Sequence, residues 1–336
     1  MKRLFLKLLL ISSPILAVLL LYVWKDPFKV LYHYEAYYKK DDSSVVFSYN
    51  RDYIATRTLI NNLNRYKYDS YIMGGSRSGY FEVKDWEQHI NDTNTYHFNA
   101  ILESLYGVEK KLQFLDKRNM PIKNILLVLD AHFLETTTND PRYAVTKDPL
   151  TSRESSIRFQ VNYVKAFFNY RFLYAYIDWL TSGKIKPYMR KEKLLYRNYI
   201  KYDARHNEII EVYANEKIQY GKVDYYQLHK NAFYTRDSVQ RYGKPVIGDS
   251  QKALLNSMKN ILSKHGTNYK IVISPLYDQI KFSPTDLKIL QDIFGVSNVY
   301  DFSGINDITN DMHNYYEVNH YRPHAARQIM DSIYAR

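Results

Sequence analysis

A serine attacks an acyl carbon only when a base accepts its proton and donors receive the developing oxyanion. Two segments of this chain hold residue types suited to that chemistry. Gly74-Gly75-Ser76-Arg77-Ser78-Gly79 follows the apolar run Tyr71-Ile72-Met73, and Glu317-Val318-Asn319-His320-Tyr321-Arg322-Pro323 lies near the C-terminus. Gly74 and Gly75 let the backbone turn sharply and leave Ser76 exposed at a strand end, its own N–H facing the site. A helix starting just afterwards adds its dipole to anion stabilisation. His320 is the natural base. Glu317, three residues earlier, can reach the other ring nitrogen and hold the imidazole in its useful tautomer. Arg77 and Arg322 can hold an anionic substrate, or either can form a salt bridge beside the site. Neither segment says much alone; together, in this order, they point to a nucleophilic site.

Neighbouring motifs narrow the choice. Ser78 replaces the second glycine of a G-x-S-x-G elbow, and no Gly-Lys-Ser/Thr follows to make a phosphate-binding loop. Asp311 is a second, weaker candidate for the acid. His313, Glu317, His320 and His324 also invite a metal reading, but they lack the H-E-x-x-H pattern and Pro323 separates two of them. No metal and no cofactor are expected. The chain has no cysteine, which excludes disulfides and a thiol nucleophile.

The elements that must position these residues read as alternating strands and helices. Tyr71–Met73, Tyr96–Asn99, Asn124–Asp130, Tyr269–Ser274 and Val299–Phe302 read as strands, the third apolar throughout, as in a parallel sheet covered on both faces. Helical spacing follows at Leu102–Leu115, Leu254–Leu262, Pro284–Phe294 and after Pro323, a favoured first helical residue. This alternation predicts a doubly wound α/β fold with a mostly parallel sheet, its functional loops at the carboxyl ends of the strands. The region from about 135 to 245 breaks the pattern and reads as a helical insertion. It holds an aromatic helix over Phe159–Leu180 and a basic, tyrosine-rich stretch: Lys184, Lys186, Arg190, Lys191, Lys193, Arg197 and Lys201, with Tyr188, Tyr196, Tyr199 and Tyr202. Such a stretch can stack on sugars or bind an acidic polymer; more often the helix packs on the sheet and the charges form its solvated side.

The 336 residues carry a formal net charge of +12. Met1-Lys2-Arg3 and Lys7 precede an apolar run from Leu8 to Trp24, roughly seventeen residues and near the short limit for a membrane helix. The basic flank predicts a cytoplasmic start and an extracytoplasmic remainder, and no small-x-small cleavage pattern follows the run. Residues 1–25 are therefore expected to be a signal anchor, 26–66 a stalk and lead-in helix with Thr58, Leu59, Ile60 and Leu63 on one face, and 67–336 the α/β domain. The basic surface suits acidic glycans or anionic lipid, and an outward-facing domain argues against nucleic acid; dispersed lysines more often simply keep a protein soluble.

The Gly74–Ser78 turn, the Phe98-Asn99 strand end, the buried strand to Asp130 and the closing Glu317-x-x-His320-Tyr-Arg-Pro resemble the SGNH (GDSL-type) hydrolase superfamily. The resemblance is closest to its membrane-anchored envelope branch, which includes teichoic acid D-alanyl transfer and alginate O-acetylation proteins. It brackets most of the chain beyond the anchor, with about forty residues matching specifically. It implies a flavodoxin-like three-layer sandwich and a triad of Ser76, His320 and Glu317. It further implies Asn99 as an oxyanion donor beside Gly75, with the third block surviving as Asp130-Ala131-His132. Gly75 stands where the family usually has Asp, and Glu317 where it usually has the shorter acid. The implied activity is an extracytoplasmic acyl esterase or O-acyltransferase on an envelope glycopolymer, supplied by an integral-membrane acyltransferase. The alternative is a catalytically inactive relative that binds glycan or scaffolds an assembly complex.

Overall fold

The computed structural model of the chain describes residues 2–38, 45–46, 49–192, 194–197, 200–221, 224–236 and 238–335. Five apolar runs form one sheet: β1 (Ser70–Gly74), β2 (Thr95–His97), β3 (Asn124–Leu129), β4 (Asn268–Ile273) and β5 (Val299–Asp301). All are parallel, in the order β2-β1-β3-β4-β5. Each begins and ends within two residues of where the sequence put it. β3 is buried along its whole length, which is why its six residues are apolar except for the leading Asn124.

The helices that cover the sheet or build the core of the insertion are α1 (Lys2–Lys25), α2 (Arg51–Asn62), α3 (Val83–Ile90), α4 (Leu105–Lys117), α5 (Ser156–Phe167), α6 (Tyr170–Ser182), α7 (Asp249–Lys264), α8 (Pro284–Phe294) and α9 (Pro323–Tyr334). Strand side chains alternate between two layers. Tyr71, Met73, Ile125, Leu127 and Ile271 pack with Leu59 of α2, Leu112 of α4, Met258 of α7 and Leu290 of α8. On the other face Ile72, Leu126, Val128 and Val272 pack with Trp86 of α3 and Ile329 and Met330 of α9. The result is a three-layer α/β sandwich of the flavodoxin strand order. The chain leaves β1 for β2 through α3 on one face, then returns past β1 to β3 through α4 on the other. That reversal opens a crevice at the carboxyl ends of β1 and β3, where sheets of this kind hold ligands.

The insertion forms a separate core with the segment that precedes the sheet. Phe28, Val30, Tyr37, Tyr38, Tyr49 and Tyr53 are buried together with Phe159, Tyr163, Phe167, Phe172 and Tyr176. The segment expected to be a stalk is thus packed against the insertion rather than standing free of it, because five of its aromatic rings are buried in that core. The single aromatic helix expected over Phe159–Leu180 is two helices. Asn169 leaves the helical region (φ −59°, ψ 119°), and its side-chain oxygen accepts the Arg171 and Phe172 N–H groups, starting α6 afresh. Asparagine competes with helical backbone in this way and serves better as a cap than inside a helix.

In the basic stretch, Lys184, Lys186, Arg190 and Lys191 are exposed, whereas Tyr202 is buried against Tyr38 at 4.8 Å between rings. Lys193 and Tyr199 lie outside the described residues. Residues expected to anchor the chain are helical, as α1, with Pro14 inside it. Among the described residues, however, no helix is long and apolar enough to cross a membrane, so the span expected from Leu8–Trp24 gains no support from the fold.

Candidate active site

The turn after β1 is shaped by one glycine, not two. Gly74 has φ +142°, and a Cβ there would stand 2.3 Å from the carbonyl oxygen of Val128. Gly75 has φ −75°, open to any residue, and a Cβ would meet only the Glu103 nitrogen at 3.9 Å. A short 3-10 turn, Ser76–Tyr80, follows. The N–H and hydroxyl of buried Ser78 both donate to the Gly75 carbonyl, at 3.0 and 2.7 Å, and hold the turn closed. The residue that spoils the G-x-S-x-G pattern is therefore the brace of the turn. Among the described residues the Ser76 N–H has no acceptor.

The partner segment is a small antiparallel ribbon, β6 (Tyr315–Glu317) with β7 (His320–Tyr321), in which Glu317 lies opposite His320. Its base is fixed because Tyr315 and Tyr321 are buried in the α3–α9 layer. Its tip is fixed by Arg77, whose Nε donates to the Asn319 carbonyl at 2.8 Å. Ser76 Oγ then lies 2.8 Å from His320 Nε2, and His320 Nδ1 is hydrogen-bonded to Glu317 Oε1. Glu317 only accepts, so the ring proton sits on Nδ1 and Nε2 is left to accept from the serine hydroxyl. The second carboxylate oxygen accepts the Asn319 N–H at 2.8 Å. Half-burial pushes the Glu317 carboxyl up, but the bonds from His320 and Asn319 outweigh it and hold the group below its ordinary range.

These side chains line one wall of a cavity of about 1150 Å³ that runs across the carboxyl ends of the strands. Asn99 lines it too, with its Oδ1 buried and unpartnered. Its Nδ2 stands 3.5 Å from where a Cβ on Gly79 would be, which puts the amide beside the Ser76 turn. An orphaned buried polar atom costs stability, and such atoms gather where function requires them. The donors on this wall available to an oxyanion are the Ser76 N–H and the Asn99 Nδ2, neither bonded to a described residue; the orphaned Oδ1 is an acceptor and takes no part. A hydroxyl, an imidazole and a carboxylate in this order, with free donors alongside, can carry out acyl transfer.

No family model matches the chain, and neither does any curated protein or solved structure.

Several expected residues are placed differently. Arg77 lines the cavity, but its guanidinium is ion-paired with Asp130 and bonded to Asn319, so it braces the site rather than awaiting an anion. Arg322 does not line the cavity; it precedes α9 and donates to the His313 carbonyl at 3.2 Å. Asp130 caps the short helix Ala131–Glu135 through the Phe133 N–H, and His132 pairs with Glu135. The side chains of Asp130 and His132 are thus engaged with their own short helix. Asp311 binds His313, and His324 binds Asn314 Oδ1, so neither reaches His320. Among the described residues, no group of three ligating side chains is arranged for a metal ion.

One supporting group has no signature in the sequence. Asp52 of α2, Glu103, Lys111 of α4 and Lys147 form a buried charge cluster directly behind Asn99. Lys111 Nζ pairs with Glu103 and, at 3.1 Å, with Asp52, and it donates to the Phe98 carbonyl at 3.1 Å; Lys147 Nζ reaches Glu103 at 2.5 Å. Burial raises the Glu103 carboxyl, and the two ammonium groups more than reverse this and keep it ionised. The cluster clamps the Phe98–Glu103 loop, which carries Asn99.

Proposed function

We propose that this chain is an extracytoplasmic serine esterase or O-acyltransferase of the SGNH type, acting on acyl esters of a cell-envelope glycopolymer. The observation that carries the reading is the Ser76–His320–Glu317 relay at the wall of a large cavity. Ser76 Oγ attacks the acyl carbon while His320 Nε2 takes its proton. The Ser76 N–H and Asn99 hold the oxyanion, and the imidazolium is steadied by Glu317. Collapse of the tetrahedral species breaks the bond to the leaving alcohol, which receives the proton from His320. Water or a sugar hydroxyl then attacks the acyl-serine with the same base, and the choice between them separates hydrolysis from transfer. A large cavity open to solvent suits a polymeric acceptor. No cofactor is required for any of these steps.

Tethering to the membrane through residues 1–25 is proposed on the basic start, the apolar run and the exposure of Ser12–Ala17 on every side of α1. It would bring the site close to an integral-membrane acyltransferase as acyl supplier. Incubation with a fluorophosphonate probe tests the chemistry. Labelling of the intact chain that disappears in Ser76→Ala supports the enzyme. No labelling, together with retained binding to an anionic glycan, supports instead a catalytically inactive glycan-binding protein.

A further inference from the structure

We propose that the tip of the α5–α6 hairpin, around Tyr170 and Tyr174, lies in the headgroup layer of an anionic bilayer beside α1. The inference rests on α1 being the membrane anchor and adds to it how the soluble domain meets the lipid.

The depth of the hairpin follows from ring contacts. Phe28, just beyond the end of α1, packs on Tyr163 at 5.4 Å and on Phe172 at 5.2 Å. Tyr22, inside α1, packs on Phe167 at 5.2 Å. Tyr22 and Phe28 are themselves 6.5 Å apart, so the turn between α5 and α6, flanked by Phe167 and Phe172, sits beside the last turn of α1. Tyr22 precedes Lys25 by three residues, about 4.5 Å along a helix, and Val18, which joins the same core, precedes it by about 10 Å. A hairpin held at this level by α1 cannot stay clear of a bilayer that α1 crosses.

The surface at that tip suits the setting. Tyr170 is 73% exposed and Tyr174 66%, and Ile177 continues the same face of α6. Trp24, 74% exposed, stands at the end of α1 with the Lys25 ammonium 3.8 Å from its ring. Tyrosine and tryptophan gather at membrane interfaces, where the ring is apolar and its edge polar. Lys165 is exposed beside the tip and, with Lys25, matches anionic headgroups in charge; Arg171, also exposed, is paired with Glu192 at 3.5 Å and adds little to that charge. Exposed apolar side chains beside cations form an interfacial surface, not the polar face of an ordinary solvated helix.

The absence of cysteine makes the test clean. Leu20→Cys, Tyr170→Cys, Tyr174→Cys and Lys84→Cys, each in the full chain and carrying one nitroxide, are reconstituted into phosphatidylcholine–phosphatidylglycerol vesicles. Collision of the label with oxygen is compared with collision with a water-soluble nickel chelate. Lys84, exposed on α3, supplies the aqueous reference, and Leu20 reports on the anchor. The expected result is an oxygen-to-nickel ratio several-fold higher at 20, 170 and 174 than at 84. A lipid-like label at 20 with water-like labels at 170 and 174 overturns the hairpin and leaves the anchor intact. A water-like label at 20 overturns both. Spectral broadening at 174 that disappears on dilution with unlabelled protein identifies a second copy as the occupant, which also overturns the proposal.

Discussion

Ser76 Oγ and His320 Nε2 stand 2.8 Å apart although 244 residues separate them in the chain. Two devices close that gap: a parallel strand that ends at Gly74, and a β-ribbon whose tip is tied to the serine turn by Arg77. If Glu317 orients the imidazole, Glu317→Gln should lower kcat on p-nitrophenyl acetate by about 10²- to 10⁴-fold while leaving KM within a few-fold. His320→Ala should lower it at least as much, and combining the two should add little, because the residues act as a unit. A fully additive double variant would show that they do not form one relay.

Asn99 makes a sharper test, because function and stability should move in opposite directions. Its Oδ1 is buried without a partner, so Asn99→Ala removes an unsatisfied polar atom and should leave the melting temperature unchanged or higher. Loss of an oxyanion donor should nevertheless cost about 10²- to 10³-fold in kcat. Equal losses of stability and activity would make Asn99 a structural residue.

The two glycines before the serine should behave unlike each other. Gly74→Ala puts a Cβ against the Val128 carbonyl at a φ that L-residues rarely adopt, and should cost at least about 2 kcal/mol in urea unfolding. Gly75→Ala has ordinary φ and space, and should be near neutral in stability.

Behind the site, Lys111→Met leaves Asp52 and Glu103 with only Lys147 between them. All of these side chains are buried, so the variant should lose about 3–5 kcal/mol. Replacing Glu103 by Gln as well should recover part of that loss. Chemical denaturation of the single and double variants measures the coupling.

Much of this was legible in the sequence, for physical reasons that differ by element. Strands such as Asn124–Leu129 announce themselves because burial on both faces leaves an unbroken apolar run. The pairing of Ser76, His320 and Glu317 was legible because strand-end glycine and acid-x-x-His are local patterns. The role of Arg322 is not legible, because sequence cannot distinguish an arginine facing a cavity from one bonded to a neighbouring carbonyl. The Asp52–Glu103–Lys111–Lys147 cluster left no trace, since its members come from four separate segments and look like ordinary surface charges until the fold buries them. The break at Asn169 was hidden by aromatic residues whose spacing continues across it.

The Glu317 carboxyl titrates below its ordinary 4.5, because its bonds to His320 and the Asn319 N–H outweigh the effect of half-burial. A depressed folded value means that the unfolded chain binds this proton more readily. The stability contributed by Glu317 is therefore complete above the unfolded value and is lost as pH falls through the folded one. Intact chain and Glu317→Gln should differ in urea midpoint at neutral pH, and the difference should shrink as the solution is acidified below about 4.5. A difference that persists unchanged from about pH 7 to about pH 3 would show that the carboxylate is not held by these bonds, and with it would go the argument that Glu317 fixes the tautomer of His320.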